Sequence, residues 1–488
     1  MIKVIMGILF LFLFLSAASC KKTSIPPPDP ILPVPNEHQV EWLQKEIFAF
    51  VHFTVNTFTD KEWGYGDEDP DLFNPLNFDP YQWVNVLKES GFKGVIITAK
   101  HHDGFCLWPS LYTEHNVRSS KWKDGKGDVL RELKDACDKH GIEFGIYLSP
   151  WDRNHADYGS PLYVEYYQNQ LKELLDRYGP IFEIWFDGAN GGDGYYGGAR
   201  ETRKIDDQVY YRWHETFKII RDYNPKTIIR GDARSSAICD SRWCANERGF
   251  VGETNWNMVT PDILFALGEN RFEMLHMGNE DGEYWMPAEV DVSIRPGWFY
   301  HSREDSLVKS PEQLFDIYLK SVGRGSPLLL NVAPDKNGLL PDPDINSLLQ
   351  WKQMIDECFS ENLASEANVS VDSYRGKSSQ YDAANLTDGK SNTYWATDDE
   401  IKTGTIEFEF EESRNIKFIL LQEYIPLGQR VRSFNIEILD SEKWDKVAEA
   451  TTIGYKRIIP LEKIKTKGVR INITESRACP VLSNIGIY

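Results

Sequence analysis

The sequence predicts two folds in succession: an α/β part forming a (β/α)8-like TIM barrel, then an all-β part forming an antiparallel β-sandwich. Three observations predict it. Capped helices and short, wholly apolar strands alternate from residue 37 to about residue 362. Strands buried on both faces read as such continuous runs, as a parallel sheet joined by helical crossovers requires. After Asn362 the helical period disappears and apolar residues alternate instead.

The elements follow in order. IFAFVHF (Ile47–Phe53) reads as strand one. Asp79-Pro80 caps a helix that stops at Ser90-Gly91 and feeds GVIITA (Gly94–Ala99). Asp128 opens a second helix, stopped at His140-Gly141, before FGIYLS (Phe144–Ser149). Val164, Tyr167, Leu171, Leu174, Leu175 and Tyr178 keep helical spacing up to Gly179-Pro180, ahead of IFEIWFD (Ile181–Asp187). Val209, Tyr210, Trp213, Phe217 and Ile220 mark a fourth helix, ending at Asn224-Pro225 before TIIR (Thr227–Arg230). Ser310-Pro311-Glu312-Gln313 is a capping box opening a late helix that leads to LLLNV (Leu328–Val332). From Gly231 to Arg303 the pattern is irregular, and strands six and seven have no clear place in it. Further on, Ile406/Phe408/Phe410, Ile416/Phe418/Leu420 and Phe434/Ile436/Ile438 alternate as sandwich strands. The expected division is a signal over 1–20, a proline-rich tether over 21–36, the barrel over 37–362 and the sandwich over 363–488.

Composition narrows the function. Among 488 residues, 54 Lys and Arg stand against 74 Asp and Glu, a net charge of −20. That balance lacks the basic footprint of a nucleic-acid-binding protein and does not favour adhesion to an anionic membrane. Lys3, the apolar run Val4–Ser19 and Ala17-Ala18-Ser19 before Cys20 have the form of a bacterial export signal with a lipobox. Cys20 is therefore the expected lipidation site. The expected location is the periplasm or the outer membrane, with membrane contact only through that anchor. The other six cysteines are scattered; Cys239 and Cys244 could bridge, but buried free thiols are expected.

In such a barrel, function gathers at the C-terminal ends of the strands. Those ends carry His52, Lys100-His101-His102-Asp103, Tyr147 and Asp152, Asp187, and Arg230 and Asp232. Neighbours on a strand point to opposite faces, so His101 and His102 do not read as a metal pair. No GxSxG elbow is present. Asp187 follows an apolar strand and precedes Gly188, which allows close approach. A partner carboxylate could come from Glu247 or Glu253 in RWCANERGFVGETNW (Arg242–Trp256), as glycoside hydrolysis requires.

FAFVHF, KEWG, TAKHHDGFCLWPS, YLSPWD, IWFDGA and SVGRGSPLLLNVAP resemble the motifs of glycoside hydrolase family 29, the α-L-fucosidases, from about Phe48 to Pro334. The resemblance implies a retaining exo-hydrolase of fucosylated glycans that needs no cofactor and no metal. It implies Asp187 as nucleophile and a fucose pocket of His52, Glu62, Trp63, His101, His102 and Tyr147. Asn246-Glu247 followed by ETNW resembles the branch that cleaves α-1,3/1,4-linked fucose from branched oligosaccharides, with Glu247 as acid/base and Glu253 in reserve. A broad-specificity fucosidase, and a catalytically weak surface glycan-binding lipoprotein, are the alternatives. Arg230 is a further expected sugar or carboxylate partner, and Trp63, Trp185 and Trp298 are candidates for the apolar wall against the C6 methyl. AANLTDGKSNTYWATDD (Ala383–Asp399) resembles a discoidin-like carbohydrate-binding sandwich, whose Asp388-Gly389 loop is an expected place for a structural Ca²⁺. The oligomeric state is not encoded in any of these features.

Overall fold

The computed structural model describes residues 25–231, 238–264 and 268–488. The apolar export run, Cys20 and Asp232 lie outside the described residues. Eight parallel strands close into a barrel: β1 (Ile47–Val51), β2 (Gly94–Lys100), β3 (Glu143–Leu148), β4 (Glu183–Trp185), β5 (Ile228–Gly231), β6 (Ser241–Trp243), β7 (Ala288–Ser293) and β8 (Leu328–Asn331). Pairing of β1 with β8, beginning at Ile47↔Leu328, closes the ring.

The expected caps are present. Asp79 Oδ1 accepts from the amides of Tyr81 and Gln82, Asp128 accepts from the amide of Arg131, and Ser310 forms a reciprocal box with Gln313. The fourth helix differs from its expected start. It spans Trp213–Tyr223, and Val209 is exposed in the turn before it. Tyr210 is instead held there by its hydroxyl, which donates to Ser160 O and accepts from the amide of Gly159. Strands six and seven escape the sequence pattern for a physical reason. β6 has only three residues and pairs directly with β5, while β7 alternates Glu289, Asp291 and Ser293 inward with Val290 and Val292 outward. Neither is the continuous apolar run of a buried parallel strand.

Inside the barrel Phe48, Phe50, Tyr147, Trp185 and Leu329 pack together. Phe50 and Trp185 have ring centroids 5.0 Å apart, which makes a rigid aromatic floor below the strand ends. The larger core lies between the strands and the surrounding helices.

The C-terminal part is an antiparallel sheet of β9 (Asn368–Val371), β10 (Trp395–Ala396), β11 (Gly404–Glu423), β12 (Val431–Asp440), β13 (Lys443–Ala450), β14 (Arg457–Ser476) and β15 (Val481–Ile487). It forms the expected discoidin-like sandwich. The alternation Ile416/Phe418/Leu420 does not continue on one face. A bulge at Lys417-Phe418, whose two amides both donate to Tyr488 O, reverses it, because one extra residue turns every later side chain over. Ile416, Ile419 and Leu421 enter the sandwich core, whereas Phe418 and Leu420 face the barrel, where Phe418 meets Phe315 and Phe359.

The two parts are bonded as well as packed. Gln429 accepts from the amide of Asn257 at 2.8 Å and donates to the carbonyl of Asn255 at 2.8 Å. Gln429→Leu leaves both backbone groups buried and unpaired, each costing about 1–3 kcal/mol. A lowered denaturation midpoint with activity per folded molecule retained is the expected result.

The described end of the proline-rich stretch is docked, not a free tether. Arg375 Nε donates to Pro26 O at 2.7 Å, Arg430 Nη2 to Asp29 O at 2.6 Å, and the amide of Ile31 to Leu427 O at 3.0 Å. A proline-rich chain has carbonyls to spare and few amides to satisfy, so arginine donors suit it.

Candidate active site

At the C-terminal rim of the barrel lies a cavity of ≈ 540 Å³. His52, Trp63, His101, His102, Tyr147, Asp187, Arg230, Glu247 and Trp298 all line it. Residues more than 240 positions apart thus meet in one space.

Asp187 continues from β4. Its Oδ1 accepts from the amide of Ala189 at 2.9 Å, and its Oδ2 accepts from the Tyr147 hydroxyl at 2.8 Å. These bonds hold the carboxylate at a fixed height above the aromatic floor, a quarter exposed toward the cavity. His102 Nε2 lies 3.7 Å from Oδ2.

The tautomers of two histidines follow from their partners. Asn331 Nδ2 donates to Ser293 Oγ and Trp298 O, so its Oδ1 accepts from His52 Nδ1 at 2.8 Å. Ser149 donates its own proton to Trp151 O, so Ser149 Oγ accepts from His102 Nδ1 at 2.8 Å. In the neutral rings Nε2 is then an acceptor, suited to a sugar hydroxyl. Burial lowers His52 and His102 to about 4 and His101 well below its usual value. A base whose folded pKa is depressed costs stability as pH falls, because the unfolded chain binds the protons first. Stability is therefore expected to fall between about pH 6.5 and about 4. Thermal melts across that window check this, and a midpoint that stays flat would contradict it.

Glu247 stands at the mouth, open to solvent on one side and crowded by the rim on the other. That partial desolvation raises its carboxyl above the ordinary value, and the negative charge of Asp187 adds to the rise. Trp298 Nε1 donates to it at 3.3 Å.

Arg230 is buried, with its guanidinium over the Trp185 ring at 3.6 Å and Nε 3.7 Å from Glu289. Trp185 donates to the same carboxylate at 3.0 Å. Lys100 and Asp152 pair with each other at 3.1 Å behind the strands, and Asp103 accepts from Thr54, Asn56 and the amide of Phe105. Those three strand-end residues support the site from behind.

Glu62 does not line the cavity. It accepts from the amides of Trp298 at 2.8 Å and Phe299 at 3.2 Å, and His301 Nε2 is 2.7 Å away. Its carboxylate thereby ties down the loop that carries Trp298. Glu253 also stands apart: its side chain is largely exposed and pairs with Arg324 at 3.0 Å, near the sandwich. Asp388 in the C-terminal loop accepts from the amide of Lys390 and the hydroxyl of Thr393. No group of three or more metal-ligating side chains gathers among the described residues. The cysteines described are all free, Cys239 and Cys244 included.

Sequence reasoning missed Asp291, Trp243 and helix Gly268–Met277, which gives Arg271, Phe272 and Leu275 to the outer wall. The alternation Glu289/Asp291/Ser293 was the one signal available for Asp291.

A closed (β/α)8 barrel whose strand ends gather two carboxylates, neutral histidines and aromatic walls around a sugar-sized space defines a glycoside hydrolase. Comparison with known proteins makes this specific. Residues 31–356 match the Alpha-L-fucosidase family model, and residues 366–483 match the F5/8 type C domain. The chain belongs to the α-L-fucosidase family. It is 39% identical to Alpha-L-fucosidase 1 of Arabidopsis thaliana over 487 residues, covering 98% of this chain and 92% of that one. Among solved structures, a glycoside hydrolase 29 family member from an unknown rumen bacterium is 44% identical, with a TM-score of 0.83 over 95% of this chain and 78% of that one. A Ruminococcus gnavus family 29 fucosidase in complex with fucose is 32% identical, with a TM-score of 0.85 over 95% of this chain and 96% of that one.

Proposed function

We propose that this α-L-fucosidase removes terminal α-1,3/1,4-linked fucose from branched oligosaccharides and glycoconjugates by double displacement. Asp187 is the nucleophile and Glu247 the acid/base. The observation that carries this reading is the contrast between the two carboxyls on one cavity. Asp187 accepts two hydrogen bonds, which suits an anion, whereas Glu247 is crowded and raised, which suits an acid that must keep its proton. Asp187 attacks the anomeric carbon while Glu247 protonates the departing oxygen; Glu247 then takes a proton from the water that releases fucose. His52, His101 and His102 meet the sugar hydroxyls, with Arg230 beneath them. Trp63, Trp185 and Trp298 enclose the methyl. Glu62 acts from outside the cavity, anchoring the loop that carries Trp298.

The linkage preference rests on the Asn246-Glu247 loop and on the added outer wall of Trp243 and Phe272, which offers surface to a second sugar branch. The test compares turnover of a branched Lewis-type trisaccharide with its unbranched fucosyl disaccharide. Strong preference for the branched substrate is expected; equal rates would point to a broad-specificity enzyme.

We propose further that the enzyme is exported and anchored through a lipid on Cys20, facing the periplasm or the outer membrane. Cys20→Ala is expected to move it from the membrane to the soluble fraction, with activity unchanged.

A further inference from the structure

A third carboxyl faces the same cavity. Asp291 stands on β7, where alternation sends Val290 and Val292 outward and Asp291 inward. It is 3% exposed, lines the cavity and leaves Oδ1 without a hydrogen-bond partner. A buried carboxyl oxygen left unpaired is costly, so its place in a fold calls for an account.

The backbone links Asp291 to Glu247. The loop that carries Glu247 forms an isolated antiparallel bridge to β7 at Arg248↔Val292. Antiparallel register sets Gly249 of that loop across from Asp291 and Glu247 across from Ser293, and Glu247 and Asp291 both line the cavity. The charged and titratable groups facing Asp291 are Arg230 from β5, Glu247 and Cys244 from the loop after β6, and Glu289 on its own strand.

A counter-ion role does not fit. Among the described residues no ion pair joins Asp291 to Arg230, whose Nε lies 3.7 Å from Glu289 instead. Burial lifts the Asp291 carboxyl to about 8 against the pull of Arg230, and Glu247 and Glu289 push it the same way. Near neutral pH the group is an uncharged acid with an O–H to donate.

We propose that Asp291 is a positioning residue for Glu247: a buried carboxyl on the strand bridged by the acid/base's loop, it steadies that loop and sets the order in which the two groups lose their protons. The proposal rests on the assignment of Glu247 as acid/base. Two carboxyls that share a site lose their protons in coupled steps. While Asp291 is neutral, Glu247 can give up its proton to the leaving group without facing a second negative charge.

The experiment measures kcat, KM and the melting point for wild type, Asp291→Asn and Asp291→Leu across pH with an aryl α-L-fucoside. Wild type is expected to lose kcat/KM at alkaline pH along a two-proton limb. Asp291→Asn keeps a donor but cannot ionise, so its limb should become a one-proton limb, with kcat lowered only a few-fold. Asp291→Leu has no donor and should lose on the order of 10- to 100-fold in kcat, as misplacement of a catalytic group does, with KM little changed. A two-proton limb retained in Asp291→Asn would overturn the proposal, as would an Asn variant as weak as the Leu variant. Should Asp291→Leu fail to fold, the limb of Asp291→Asn decides alone. A parallel Glu247→Ala enzyme separates the two assignments. If azide fails to revive it, the acid/base reading falls; revival together with an unchanged Asp291→Asn limb removes the Asp291 proposal alone.

Discussion

Asp187→Ala is expected to lower kcat by on the order of 10⁴- to 10⁶-fold, the scale seen when an enzyme loses its nucleophile. The fold should survive. Asp187 is a quarter exposed, and its two donors, the Tyr147 hydroxyl and the Ala189 amide, adjoin a cavity that water can enter. Turnover of an aryl α-L-fucoside, read beside a thermal melt, checks both points. Near-native turnover would end the assignment of Asp187 as nucleophile.

Glu247→Ala carries the second large effect. Loss of a general acid/base costs about 10²- to 10⁴-fold, and more for leaving groups that need protonation. Azide should restore turnover and yield fucosyl azide, because the vacated space beside the anomeric carbon admits a small nucleophile that needs no base. The pH profile gives an independent reading. Glu247 acts as an acid, and its raised pKa means it keeps its proton to higher pH than an ordinary glutamate. Wild-type kcat/KM should therefore fall as pH rises through that raised value. The variant should lack this limb. An unchanged alkaline limb in Glu247→Ala would place the acid elsewhere, and Glu253 is a poor substitute where it pairs with Arg324.

The parts of the fold that could be read from sequence were those where local chemistry and tertiary role agree. Asp79, Asp128 and Ser310 cap helices in the structure because a side-chain oxygen ahead of a helical stripe has one good use. β1 to β5 and β8 are mainly apolar runs, broken by single buried polar residues such as Glu183, Arg230 and Asn331, and they announce themselves. β6 and β7 do not, since Ser241, Glu289, Asp291 and Ser293 put polar atoms inside the barrel. The same polarity hid Asp291 from view. The cavity itself was legible through strand ends, and ten expected residues, Trp185 among them, meet there. Glu62 was legible as a polar residue beside the site, but its bonds to the Trp298 loop depend on a segment more than 230 residues away. The reversal at Phe418 was hidden because a bulge changes facing without changing composition.

The docking of residues 25–31 on the sandwich sets a length scale. From Cys20 to Ile25 there are five steps of chain, which span at most ~17 Å when fully stretched. With a lipid on Cys20, the enzyme would be moored on a short leash, with its C-terminal domain riding close to the bilayer. Its reach would then be set by the rigid body of the protein itself. Such a mooring would favour glycans that come to the membrane over substrates held at a distance.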